Sequence, residues 1–328
     1  MISRRPRAGL AGRLSQLTSL REGQGVSRTK TVGVVRDGSI VALKKGVEPL
    51  ITVLDKARTE GRPPRSTEYM HVSDLIGKCT RKLALVERVG MQAQSQSLNY
   101  FDALTFAQGD AIHDVIRNRA SLAAPDQVWG NWQCRCGTKT TRQPCLRSEV
   151  DQSLCTACKT PMDRYKEIEV RDEEYKITGS PDLILYTANL KALHVTELKS
   201  ISQDQWKELA RPKPDHVLQT VFYWHLMQRA GYRLTNMVSI LYATKGWLFT
   251  GSPFKEYLVN PKENLSRLDP LIADALAIQQ SRKGGKLPGK TCPSPTSPDA
   301  KQCPVCQVCF NIGDVLPVTV SIKHARRR

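Results

Sequence analysis

Two carboxylates and an amine stand close together in the middle of this 328-residue chain. Asp182 lies in Gly179-Ser180-Pro181-Asp182-Leu183-Ile184-Leu185-Tyr186, and Glu197 and Lys199 lie in Thr196-Glu197-Leu198-Lys199-Ser200. If the two stretches are antiparallel strands joined by a turn around Thr187 to Lys191, Asp182 and Glu197 face one cation from neighbouring positions. Side chains alternate along a strand, so Glu197 and Lys199 share a side while Leu198 points to the core. Two carboxylates suit a hard divalent ion such as Mg²⁺. Such an ion supports phosphodiester hydrolysis by activating water and relieving charge in the transition state. Lys199 would orient the water, help deprotonate it or stabilise the developing charge. The same residues also suit an ordinary hairpin carrying a Glu197–Lys199 salt bridge.

The surrounding pattern supplies elements that can hold these groups. Ser73 is a good N-cap for a helix running through Asp74-Leu75-Ile76 and Leu83-Ala84-Leu85-Val86 to a stop at Gly90, with Cys79 on it. A second helix, about Phe101 to Ala120, has Leu104, Phe106, Ala111, Ile112, Val115 and Ile116 at helical spacing, with His113 on or near that apolar face. Strand-like runs follow at Lys166 to Val170, Tyr175 to Tyr186 and Leu193 to Leu198, short enough for a meander. A helix is expected from Asp215 to Arg229, strands at Met237 to Ala243 and Phe254 to Val259, and a last helix from Asn264 to Gln280. Residues 1–68 read as a basic, loosely ordered extension with one small hairpin or helix, and Gly61-Arg62-Pro63-Pro64-Arg65 as a linker.

Hydrophobic residues make up 40% of the chain, which places it among globular proteins, and no apolar run reaches the ~18 residues of a membrane span. Lys and Arg number 49 against 31 Asp and Glu, a net charge of +18, so a polyanion such as nucleic acid is the expected partner and a membrane is not. The start, Met1-Ile2-Ser3-Arg4-Arg5, has no apolar signal region, so a cytoplasmic location is expected. In a reducing compartment the ten cysteines read as metal ligands rather than disulfides. Cys134-x-Cys136 and Cys155-x-x-Cys158 form two knuckles suited to tetrahedral Zn²⁺, with Cys145 spare. The metal would fold a polar insertion at 131–162 that has too few apolar residues to fold alone. At the end, Cys303-x-x-Cys306 by itself would also suit zinc.

Ser180-Pro181-Asp182 with Glu197-Leu198-Lys199 resembles the signature of the PD-(D/E)xK nuclease superfamily. Gln108-Gly109-Asp110-Ala111-Ile112-His113 is similar to the upstream histidine motif of its RecB-like branch, and Gln219 with Tyr223 to the branch's Gln-x-x-x-Tyr motif. Each also has a plain reading: His113 as a core residue, Gln219 and Tyr223 as helix-surface and boundary positions. The resemblance implies an α/β, restriction-endonuclease-like core, a mixed central sheet flanked by helices, over 69–130 and 163–284. It implies Mg²⁺ or Mn²⁺ on His113, Asp182 and Glu197, with Lys199, Gln219 and Tyr223 completing the catalytic set. The isolated Cys79 and the C-terminal cysteines resemble the iron–sulfur members of that branch, including the exonucleases of CRISPR adaptation and stand-alone phage versions. The implied [4Fe–4S] ligands are Cys79, Cys292, Cys303 and Cys309, with Cys306 as substitute for Cys292, stapling 285–328 to the core. Here ten residues separate Cys292 from Cys303, whereas the family's spacing is two, which leaves the fourth ligand open. The implied function is an exonuclease on single-stranded or end-containing DNA, working beside recombination or replication proteins. A structure-selective or nicking endonuclease and a non-catalytic nucleic-acid-binding protein are the competing expectations.

Overall fold

The computed structural model describes residues 35–36, 39–40, 68–77, 79–88, 100–246 and 251–311. The chain divides into two units, 1–56 and 57–328. In the first, β1 (Val35–Arg36) and β2 (Ser39–Ile40) pair antiparallel. The rest of the expected N-terminal extension, the linker at 61–65 and the stop at Gly90 lie outside the described residues.

The second unit is mixed α/β. After β3 (Met70–His71) come the helices α1 (Val72–Leu75), α2 (Thr80–Arg88) and α3 (Tyr100–Ala123), then the strands β4 (Val128–Gln133), β5 (Cys145–Leu146), β6 (Arg164–Lys166), β7 (Val170–Asp172), β8 (Ile177–Gly179), β9 (Leu183–Thr187) and β10 (Ala192–Ile201). The chain continues through α4 (Gln203–Glu208), α5 (Pro214–Arg229), β11 (Val238–Thr244), β12 (Phe254–Val259), α6 (Asp269–Arg282), α7 (Pro298–Lys301) and α8 (Cys306–Asn311). The main sheet runs β12-β11-β10-β9-β4-β5, with β6 also paired to β4, and a separate sheet runs β3-β8-β7. Within the main sheet β10 and β11 are parallel, and the other pairs are antiparallel.

Parallel neighbours require a crossover, and α5 supplies it. Its Val217, Val221, Phe222, Trp224, Leu226 and Met227 are all buried, so the helix is apolar around most of its circumference. It can be, because it packs against β10 and β11 and also against β7, β8 and α1. Each such large side chain contributes about 1.5–3 kcal/mol by leaving water. Pro214 at the first helical turn costs nothing there, since that N–H has no helical partner.

Four expectations are corrected. The first helix is two: Ile76 is already extended after α1, and Cys79 precedes the first residue of α2 rather than lying on a continuous helix. The run Tyr175 to Tyr186 is not one strand of a meander. Pro181 has no N–H to give a ladder, and the chain leaves the small sheet after Gly179 and enters the main sheet at Leu183. The last helix, expected at 264–280, is a 3₁₀ segment over Pro261–Arg267 followed by α6. The apolar stripe of α3 is only in part its buried face: Leu104, Phe106 and Val115 are exposed, while Ile116 packs against the core that holds Leu198. The helix leans on β10 and β6 along the side that carries Arg117. At Gly109 the approach is so close that a Cβ would sit 3.1 Å from Ser200 Oγ on β10.

A tighter contact occurs at Gly179, where a Cβ would meet the ring of Tyr223 at 2.6 Å and Val72 Cγ2 at 3.2 Å. Tyr223 is 6% exposed and its hydroxyl accepts from Gln219 Nε2 at 2.8 Å, a bond that swinging the ring aside would break. Gly179→Ala is therefore expected to destabilise the fold by about 1–3 kcal/mol. The check is a lowered urea midpoint at unchanged slope, and an unchanged midpoint would mean that the ring yields freely.

Candidate active site

Asp182 stands where the chain passes between the two sheets. Leu183 pairs with Thr196, so Asp182 falls opposite Glu197, just beyond the end of the ladder. Its side chain takes over the missing backbone role: Leu198 N–H donates to Asp182 Oδ2 at 2.9 Å. The loss of backbone pairing around Pro181 thus orients a carboxylate. From α3, the Arg117 Nε donates to the Asp182 carbonyl at 2.8 Å and Nη2 to Oδ1 at 2.9 Å, while His113 Nδ1 lies 3.5 Å from the same oxygen. Burial works to raise the Asp182 carboxyl, but the hydrogen bond and charge of His113, with Arg117 and Lys199 nearby, hold it below the usual range.

Glu197 and Lys199 lie on one face of β10, with Leu198 between them in the opposite core beside Val128, Trp132 and Leu183. Lys199 Nζ is 2.6 Å from Glu197 Oε1 and donates to Gln219 Oε1 at 2.9 Å, and Gln219 Nε2 donates to Tyr223 OH at 2.8 Å. The i, i+4 spacing on α5 lets the amide bridge lysine and phenol. Glu197 Oε2 is buried with no hydrogen-bond partner. Burial first, and then the charge of Asp182, push the Glu197 carboxyl up to about 8, against the opposing pull of Lys199.

That shift has a stability consequence. Between the ordinary value near 4.5 and about 8, the folded chain holds a proton on Glu197 that the unfolded chain has released. Where the native state binds more protons, stability falls as pH rises. In metal-free protein Glu197 is expected to lower the melting temperature from pH 5 to pH 8. Glu197→Gln should remove that part of the slope, and a slope identical in the variant would reject the assignment.

All six expected positions, His113, Asp182, Glu197, Lys199, Gln219 and Tyr223, line one open cleft of ≈ 660 Å³. Arg117 and Glu167 line it as well and were not anticipated from sequence. The signal for Arg117 was its position one turn beyond His113 on the same helix. Glu167 had none, since it lies in a run read only as strand. Burial and the charge of Asp182 raise the Glu167 carboxyl, while Arg117 lowers it. An orphaned buried oxygen, a second carboxylate and an imidazole make a donor set that fits a hard divalent cation.

The Sγ atoms of Cys134, Cys136, Cys155 and Cys158 lie within 4.8 Å of one another, a group able to hold a metal ion. Cys145 is outside it. The two knuckles fold alike: Cys134 N–H donates to the Lys139 carbonyl at 2.9 Å and Cys155 N–H to the Thr160 carbonyl at 2.9 Å. Among the described residues, the C-terminal cysteines are not gathered this closely. Cys79 Sγ accepts from Thr291 Oγ1 at 3.2 Å, and α2 packs on α8. Cys303 and Cys309 pack against the main core, and the buried Arg81 donates to the Pro288 carbonyl at 2.8 Å.

No family model matches the chain, and no curated protein matches it in sequence. Among solved structures, an alkaline exonuclease (LHK-Exo) from Laribacter hongkongensis aligns with a TM-score of 0.38 and 11% identity over 71% of this chain and 94% of that one. A likeness this distant assigns neither fold nor activity. No helix among the described residues is long and apolar enough to cross a membrane.

Proposed function

We propose that this chain is a Mg²⁺- or Mn²⁺-dependent DNA nuclease of the PD-(D/E)xK, RecB-like type, acting as an exonuclease on single-stranded or end-containing DNA. The observation that carries the reading is the partnerless, buried Glu197 Oε2, set opposite Asp182 and next to an ammonium group. His113, Asp182 and Glu197 would hold the divalent ion, with a backbone carbonyl near Leu198 as a further candidate ligand. When bound, the ion supplies an acidified water and charge relief at the scissile phosphate.

The chain's own groups do the rest. Arg117, His113 and the Leu198 N–H fix the Asp182 carboxylate. Gln219, itself held by Tyr223, aims the Lys199 ammonium into the cleft, where it orients the attacking water and offsets the charge that builds on the phosphate. The +18 net charge supports a polyanionic substrate. Zn²⁺ on Cys134, Cys136, Cys155 and Cys158 stabilises the insertion. Cys79, Cys292, Cys303 and Cys309, with Cys306 able to replace Cys292, hold an iron–sulfur cluster. Recombination, replication or repair in the cytoplasm, the host's if the chain is phage-encoded, is the setting.

End-labelled linear and covalently closed circular DNA incubated with the protein and Mn²⁺ test the activity. Degradation of the linear form alone is expected. Cutting of both would make the protein an endonuclease, and cutting of neither by metal-replete protein would reject an enzyme in favour of a binding role.

A further inference from the structure

The cleft contains a cation of its own. Arg117 is 9% exposed, and its guanidinium lies between two carboxylates. Nη2 donates both to Asp182 Oδ1, at 2.9 Å, and to Glu167 Oε1, while Nε donates to the Asp182 carbonyl at 2.8 Å. Nη1 is 3.7 Å from Asp114 Oδ1 on the same helix, and the group lies 5.8 Å from the Tyr165 ring centroid. These contacts fix the plane of the guanidinium from several sides. Because Asp182 Oδ2 is committed to Leu198 N–H, Oδ1 is the oxygen that meets both His113 and Arg117.

Centres that hydrolyse phosphodiesters with two ions place them about 3.5–4 Å apart, clamped by carboxylates. The acidic side chains for two such positions are all present: Asp182 with Glu197 for one, and Asp182 with Glu167 for the other. At the first, Glu197 Oε2 has no hydrogen-bond partner. The space between Asp182 and Glu167 is filled by a guanidinium, which keeps its charge at any pH the protein survives. A divalent ion entering there would have to expel a fixed cation tied by three hydrogen bonds.

We propose that Arg117 is a resident cation standing where a second divalent ion would bind, so that the site takes a single ion, on the Glu197 side of Asp182. This rests on the nuclease reading and deepens it. Arg117 is then a positioning residue: it neutralises Asp182 and Glu167 together and fixes Asp182 through its Oδ1 and its carbonyl. An arginine that merely held α3 to the sheet would have no bearing on how many ions bind.

The test counts bound Mn²⁺ by electron paramagnetic resonance of the free ion, using the full-length chain as purified and Asp182→Asn as the blank. One ion above the blank is expected for the wild type and for Arg117→Lys. Two are expected for Arg117→Met, which removes the charge and keeps the length, and one again when Glu167→Gln is added. Two ions in the wild type would overturn the proposal, and if that protein still degrades DNA the nuclease reading stands. A single ion in both wild type and Arg117→Met would overturn it too, leaving Arg117 as a structural tie. No ion above the blank, with no cleavage, would reject the nuclease reading itself. Should Arg117→Met fail to fold, Arg117→Gln replaces it with the same expected count of two, and the wild type and Glu167→Gln are counted beside it. The proposal expects one ion in each of the last two, whereas a fall from two to one would show Glu167 holding a second.

Discussion

Lys199→Ala is expected to slow DNA cleavage by a factor on the order of 10³ while leaving DNA affinity within about twofold. The ammonium group is 2.6 Å from Glu197 Oε1 and 2.9 Å from Gln219 Oε1, held from two sides and facing the cleft. A charge aimed at the reacting phosphate acts mainly on the transition state, so its loss appears in the rate rather than in binding. Removing one partner of a buried ion pair often costs about 3–5 kcal/mol. Here the cost is smaller, because Glu197, pushed up to about 8, already carries its proton at neutral pH and is not left as an unpaired buried charge. Single-turnover cleavage, DNA anisotropy and a melting curve separate the outcomes. A parallel loss of DNA binding, or a collapse of the melting temperature, would make Lys199 a structural residue.

Cys155→Ser should have the second large effect. Cys155 is 2% exposed and belongs with Cys134, Trp132, Val150, Met162 and Tyr165 to a core that continues to Leu183 and Leu198. Structural zinc in small modules binds with apparent free energies of about 10–16 kcal/mol, and that energy is folding energy. The insertion has little else: besides cysteines, its buried apolar side chains are Trp132, Val150 and Met162, and its strand β5 is two residues long. If these thiols hold zinc as proposed, its loss is expected to open residues 131–162 to trypsin and to loosen the β4–β6 ladder. Because Leu198 lies between Glu197 and Lys199, cleavage should fall with it. Zinc analysis beside limited proteolysis checks this. A zinc-free variant that resists trypsin and melts like the wild type would show that the thiols are dispensable.

The candidate site was legible in part. The Asp182, Glu197 and Lys199 set could be read because a strand alternates its side chains, so that a two-residue step puts Glu197 and Lys199 on one face whatever surrounds them. Gln219 and Tyr223 could be paired because a helix brings i and i+4 together. Helix α5 and strand β12 were placed to within a residue by periodicity, since both are bounded by clear Pro, Gly or Asn signals. The helix at 73–90 was misread because an apolar pattern does not reveal a backbone break such as the one after Leu75. Arg117 and Glu167 were missed because they come together across fifty positions of chain, and no local rule links an arginine on a helix to a glutamate beyond a strand end.

Within the chain, then, local spacing determined which residues could share a face: the carboxylate–lysine pair on β10, the amide–phenol pair on α5 and the two cysteine knuckles. Tertiary structure decided which of them meet. It placed Asp182 at the gap between two sheets, where its side chain replaces a backbone acceptor for Leu198 N–H. It buried Glu197 until one oxygen had no partner. It also turned α3 so that Arg117 faces inward, while Leu104, Phe106 and Val115 of the expected apolar stripe face out. The physical reason is that periodicity reports only relative direction along one element. Burial, desolvation and ion pairing depend on what a second element brings opposite it.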